Sequence, residues 1–130
     1  MTQASFAAKD HPIVSPYVMT KGAGALIDFL QRIFGAEVMM NLPREDGSVL
    51  HASLRIGDSV VMIADATAEF PALPVWLHVY VPDVDATYAS ALAAGATSAQ
   101  EPSEKGDGDR RGGFTDASGN TWWIATHVGR

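Results

Sequence analysis

Ile33-Phe34-Gly35-Ala36, followed by Gly57-Asp58-Ser59-Val60-Val61-Met62-Ile63-Ala64, is answered later by Ala93-Ala94-Gly95-Ala96 and Gly119-Asn120-Thr121-Trp122-Trp123-Ile124-Ala125. The offsets are 95 − 35 = 60 and 119 − 57 = 62, so a helix-ending glycine and a turn glycine recur at nearly one spacing. Such a period marks one supersecondary unit used twice. Half-modules that cannot bury their own faces must pack together, and the space between them is the expected cavity.

Working outward, the run Ile13 to Met19 is rich in strand formers. Ala25, Leu26, Phe29, Leu30 and Ile33 recur at helical spacing, and Gly35 is a natural residue to end that helix. Glu37 to Leu42 reads as a strand, and Asp46-Gly47 carries a hairpin signal. Val49 to Ile56 alternates, Gly57-Asp58 turns, and Ser59 to Ala64 is a further strand. The second half repeats the order. Val75 to Val81 is a strand, Asp83 an N-cap, and Val84, Tyr88 and Leu92 a helix face. A short strand at 98–101, a polar loop at 102–111, and strands at 112–115 and 120–127 complete it. The expected fold is α+β: two βαβββ modules, 13–65 and 75–128, in one domain spanning 13–128. Residues 1–12 read as a flexible N-terminal arm, and 66–74 as the linker.

The chain has 130 residues, a net charge of −6 and no cysteine. The acidic balance argues against a nucleic-acid partner, which needs a basic stripe. Without cysteine there is no disulfide framework and no thiolate site. No apolar run approaches the ~20 residues that span a bilayer, so no membrane partner and a cytoplasmic location are expected.

Strand periodicity selects the side chains facing the cavity. His51, Ser53 and Arg55 form the polar row opposite Ala52, Leu54 and Ile56. The same logic aims Val61, Ile63 and Asp65 at the cavity, with Tyr17 and Met19, His78 and Tyr80, and Trp123, Ala125 and His127. Apolar walls with a few polar groups suit a small-molecule site.

The duplication, Ser15-Pro16-Tyr17-Val18, the helix into Phe34-Gly35-Ala36-Glu37-Val38, His51-Ala52, Ile56-Gly57-Asp58-Ser59, Gly108-Asp109-Arg110 and Trp123 to His127 carry a family resemblance. The chain resembles the vicinal-oxygen-chelate superfamily of glyoxalase I, bleomycin-resistance proteins and extradiol dioxygenases, and more narrowly its PhnB-like branch. The resemblance implies mixed sheets curled around a central cleft, and often a homodimer. It also implies a divalent metal held by histidines in the first strand of a module and glutamates in the last. His78 matches one such place. Tyr17 or Val18 stands at its counterpart, and Trp123 and Val61 stand where glutamates are expected, so the usual quartet is absent and no cofactor is expected.

His51, Asp65, His78 and His127 are the alternative donors, since two histidines and a carboxylate suit iron or manganese. The Asp107 to Gly112 stretch begins like a calcium loop but lacks its later acidic ligands. The expected function is metal-independent binding of a small molecule by Tyr17, His51, Arg55, Asp65, His78, Tyr80, Arg110 and Trp123. Trp76 offers a further stacking surface, and Arg55 or Arg110 an anion anchor. The alternatives are a metal-dependent glyoxalase-like lyase or isomerase or a dioxygenase, and a homodimeric interaction module with a closed cleft.

Overall fold

A computed structural model describes residues 5–129, and the chain divides between Leu73 and Pro74 into two compact units. In the first, β1 (Tyr17–Thr20), α1 (Ala23–Phe34), β2 (Glu37–Pro43), β3 (Val49–Ile56) and β4 (Ser59–Asp65) form a sheet of order β1-β4-β3-β2. In the second, β5 (Trp76–Tyr80), α2 (Val84–Ala93), β6 (Thr97–Glu104), β7 (Asp109–Thr115) and β8 (Thr121–His127) repeat it in the order β5-β8-β7-β6. The first and last strands of each unit pair in parallel, and the other neighbours are antiparallel. The chain is therefore α+β, with two βαβββ modules and mixed sheets.

The local chemistry explains these elements. Gly35 takes the left-handed conformation (φ 65°), and its N–H bonds back to the Gln31 carbonyl. Asp83 caps α2 by accepting from the Ala86 N–H at 3.1 Å. Leu26, Ile27 and Leu30 are the large buried side chains of α1, which packs on β3 and β4. Ala25, expected on that face, is exposed and Ile27 replaces it. The first strand is shorter than expected, because Ile13 and Val14 are exposed and pairing with β4 begins at Tyr17. The expected loop 102–111 is mostly sheet. β6 runs to Glu104 and β7 starts at Asp109, so only 105–108 connect them.

Pairing register separates the two faces of each sheet, since directly opposed residues share a face. Ala52 opposes Ile63 and Leu54 opposes Val61, which sets these four on the helix side. Ser53 opposes Met62, and Arg55 opposes Val60 and Glu37, on the helix-free face. In the second unit Phe114 opposes Trp122 and Gly112 opposes Ile124 on the helix side. His78, Trp123 and Gly113 lie side by side on the helix-free face.

Each module ties its last strand to the start of its helix. Asp65 accepts from the Ala23 N–H at 2.9 Å and from the Val49 N–H at 2.7 Å. Thr126 accepts from the Val84 N–H at 2.9 Å and donates to the Val81 carbonyl at 2.7 Å. Gly22, at the start of α1, has no side chain, so Asp65 reaches across to supply the missing acceptor.

Candidate functional site

On the helix-free face of the first sheet, the Tyr17 hydroxyl lies 3.0 Å from His51 Nδ1, with the rings edge to face. Ser53 Oγ is 3.4 Å from His51 Nε2 and 3.1 Å from His11 Nε2. His11 Nδ1 in turn lies 2.8 Å from the Lys9 carbonyl. The segment 8–11 closes a turn through the His11 N–H to Ala8 carbonyl bond and lays His11 on this face. Within the expected N-terminal arm, 8–11 makes these hydrogen bonds, and residues 1–4 lie outside the described ones.

The helix-free face of the second sheet carries a charged cluster beside an aromatic one. Asp109, 5% exposed, accepts from Tyr80 at 2.7 Å, Arg111 at 2.6 Å and His127 at 2.8 Å. The bonds from His127 and Tyr80 hold its carboxyl below the usual carboxylate range, and the same bond raises the Tyr80 phenol. Arg111 also donates to Asp107 at 3.3 Å and, through Nε, to His78 Nε2 at 3.0 Å. A guanidinium only donates, so His78 is neutral with a bare Nε2 and a proton on Nδ1. Burial pushes the His78 imidazole down, and the Arg111 charge pushes it further.

Beside this cluster the Trp123 ring covers Gly113, where a Cβ would meet Trp123 Cε3 at 2.6 Å. Trp76, 76% exposed, meets the same indole edge to face at 5.4 Å. The Trp123 indole N–H is shut off from solvent and has no hydrogen-bond partner among the described residues.

The sequence pattern of the Glyoxalase/Bleomycin resistance protein/Dioxygenase superfamily matches residues 11–124. The chain belongs to this superfamily. It is 34% identical to the uncharacterized protein Mb0911c of Mycobacterium bovis, over 90% of this chain and 84% of that protein. Its fold matches TioX from Micromonospora sp. ML1 with TM-score 0.70 and 25% identity, over 88% of this chain and 99% of that one. TnmS3, an antibiotic binding protein from Streptomyces sp. CB03234, matches with TM-score 0.69 and 19% identity over 90% and 99% of the two chains.

Within the superfamily fold, two expected site residues move. Asp65 lies on the helix side, buttressing α1, because β4 pairs with Ile63 opposite Ala52. Val61 and Ile63 follow it to that side, and Met62 takes their place on the helix-free face. Arg110 also lies on the helix side, in a two-pronged bond to Asp85 of α2 at 2.8 and 2.9 Å. Arg111, one residue on, faces the other way. Tyr17, His51, Arg55, His78, Tyr80 and Trp123 are on the helix-free faces, Tyr17, His51 and Arg55 in the first unit and the others in the second.

The residues present do not fit the superfamily metal. The position that pairs with His78 on the last strand is Trp123, and its counterpart beside Tyr17 is Met62 rather than Val61. Neither side chain replaces a carboxylate, and Arg111 occupies the His78 Nε2 lone pair. Among the described residues no three histidine, aspartate or glutamate side chains stand together as a metal-binding group, and that includes His51, Asp65, His78 and His127. Asp109, Arg111 and His11 were not among the expected site residues. The alternating polar residues Asp107, Asp109 and Arg111 are the strand signal that could have found the first two.

Proposed function

We propose that the chain is a small-molecule-binding protein whose ligand lies on the helix-free face of the second sheet. The observation that carries this reading is the exposed Trp76 set against a Trp123 indole laid over Gly113. Next to it stand Arg111, Tyr80 and a neutral His78 whose Nδ1–H is a donor. Aromatic walls set at an angle, with a few fixed polar groups beside them, have the usual composition of a small-molecule site. TnmS3, described as an antibiotic binding protein, shares the fold and makes this use of it reasonable. The segments around Tyr17, Phe34-Gly35-Ala36 and the final strand support the PhnB-like branch, and a cytoplasmic homodimer is the assembly we expect.

The aromatic dye 8-anilinonaphthalene-1-sulfonate tests the site. It should bind saturably to the folded chain, and Trp76→Ala, a change at an exposed position, should weaken binding about tenfold, the effect of losing ~1.4 kcal/mol of ring contact. Absence of saturable binding, or equal affinity in Trp76→Ala, overturns the reading.

A further inference from the structure

On the first sheet, the Lys9 carbonyl fixes the direction of every hydrogen bond leading to Tyr17. A carbonyl only accepts, so neutral His11 carries its proton on Nδ1 and leaves Nε2 bare. The Ser53 hydroxyl then donates to His11 Nε2 and accepts from His51 Nε2–H. His51 Nδ1 is left bare and accepts from the Tyr17 hydroxyl. Ser53 is fully buried and the phenol at the far end is half-exposed. The chain of bonds thus runs from the exposed Lys9 carbonyl, through the buried Ser53 hydroxyl, to the half-exposed Tyr17 phenol.

We propose that Tyr17, His51, Ser53 and His11 form a proton relay in which uptake of one proton reverses the Tyr17–His51 hydrogen bond, so that the phenol changes from offering a bound molecule a lone pair to offering it a proton. Two arrangements hold the added proton, and both balance. In one, His51 carries hydrogens on both nitrogens, donates from Nδ1 to Tyr17 Oη and still donates from Nε2 to Ser53. In the other, the His51 Nε2 hydrogen passes to Ser53 Oγ as the Ser53 hydrogen passes to His11 Nε2. His11 then holds the charge, with Nδ1–H on the Lys9 carbonyl, and His51 donates from Nδ1 to Tyr17. Either way Tyr17 accepts from within and points its own proton outward. A second proton would aim two donors at Ser53 Oγ and leave the serine hydrogen with neither imidazole to receive it.

Among the described residues, the charged and titratable groups on the elements that carry the relay are Arg55 of β3, Glu37 opposite it on β2, Tyr17 of β1, and Lys9 and Asp10 of the 8–11 turn; β4 contributes Val60, Met62 and Ala64, which carry no charge. The neutral relay suits a ligand hydroxyl or amide N–H at Tyr17. The protonated relay suits a carbonyl or carboxylate oxygen. This site is built wholly on the first unit and does not rest on the aromatic face proposed above.

Nitrogen-15 NMR of the histidine rings of the full chain against pH tests it. At high pH, His51 should carry its hydrogen on Nε2 and His11 on Nδ1. The first proton bound should place a hydrogen on His51 Nδ1, and the two histidines should titrate in shared steps. Ser53→Ala, or His11→Ala where the buried change prevents folding, should leave His51 with a single independent step. Acetate, as the probe carboxylate at constant ionic strength, should raise the pH of the first step in the parent and not in Tyr17→Phe. A His51 that already carries Nδ1–H at high pH, or parent curves identical to those of the severed variants, overturns the relay. A titration that acetate does not move overturns the oxygen-ligand assignment.

Discussion

Replacing Asp65 separates a buttress from a ligand-binding residue. Its carboxylate receives the Ala23 N–H at 2.9 Å and the Val49 N–H at 2.7 Å, so one side chain holds the first turn of α1 and the start of β3. Each hydrogen bond to a charged group contributes about 1.5–3 kcal/mol, and loss of a helix cap costs about 0.5–2 kcal/mol. Asp65 is partly open to solvent, and water can replace part of the loss, so Asp65→Ala should destabilise by about 2–4 kcal/mol. For a chain of this size that is a fall in Tm of about 6–15 °C. Asp65→Asn keeps one acceptor oxygen but turns an N–H toward the other donor, and should lose roughly half as much. Thr126→Val removes the corresponding neutral bonds in the second module and should cost less, about 1–2 kcal/mol. Urea melts of the three variants followed by circular dichroism give the order. If Asp65→Ala is within about 0.5 kcal/mol of the parent, the carboxylate is not the cap and the register argument that put it on the helix side fails.

Gly113→Ala should force the Trp123 ring to move, because an added Cβ at 2.6 Å from Cε3 leaves it no room; the near-ultraviolet dichroism of the Trp76–Trp123 pair should change, and dye binding should weaken. His78 is held below its ordinary value of 6.5, so on acidification the unfolded chain takes this proton first. That histidine therefore contributes stability above about pH 6.5, which is lost as pH falls from there through its folded value, and His78→Gln should flatten the slope of unfolding free energy in that window. Arg111→Ala removes the cation and leaves Asp109 and Asp107 facing the ring, so NMR should show His78 titrating at higher pH than in the parent. Arg110→Gln breaks a bond on the helix side and should leave dye affinity unchanged in the same fluorescence titration.

Where one face of a strand is polar, the sequence was legible. Val49 to Ile56 alternates cleanly, and its polar row His51, Ser53, Arg55 lies on the helix-free face. β4 gives no such sign, since Val60, Val61, Ile63 and Ala64 are all buried and both faces are apolar. Only pairing with β3 and the reach of Asp65 to α1 decide which side is which, and neither is a local property. In β7 the composition misled for a different reason. Gly106, Gly108 and the charged residues of 102–111 read as a polar loop, yet the strand already begins at Asp109, and Gly113 within it leaves room for the Trp123 ring. With 109–111 in the strand, alternation sets Arg110 on the helix side and Arg111 on the helix-free face, because a single step along a strand reverses the side.

The two modules diverge where their sheets face away from the helices and agree where they hold them. Tyr17 and His78, Met62 and Trp123, and Asp65 and Thr126 are each 61 residues apart, and each pair occupies the same place in its own sheet. At the last pair an oxygen acceptor persists although the residue type changes, because an unpaired helix N–H is costly in either unit. At the first two pairs the side chains share nothing but position. His51 and Arg111 make the same point, since both lie on the helix-free face of the third strand of their module, beside the last strand. One is a link in a hydrogen-bond chain ending at a phenol, and the other is the cation that fixes its neighbour as a neutral donor. The fold constrains the helix side of each sheet through packing and capping, and leaves the other side free to acquire chemistry. That freedom explains why the duplication identifies the superfamily so clearly and says so little about what either face binds.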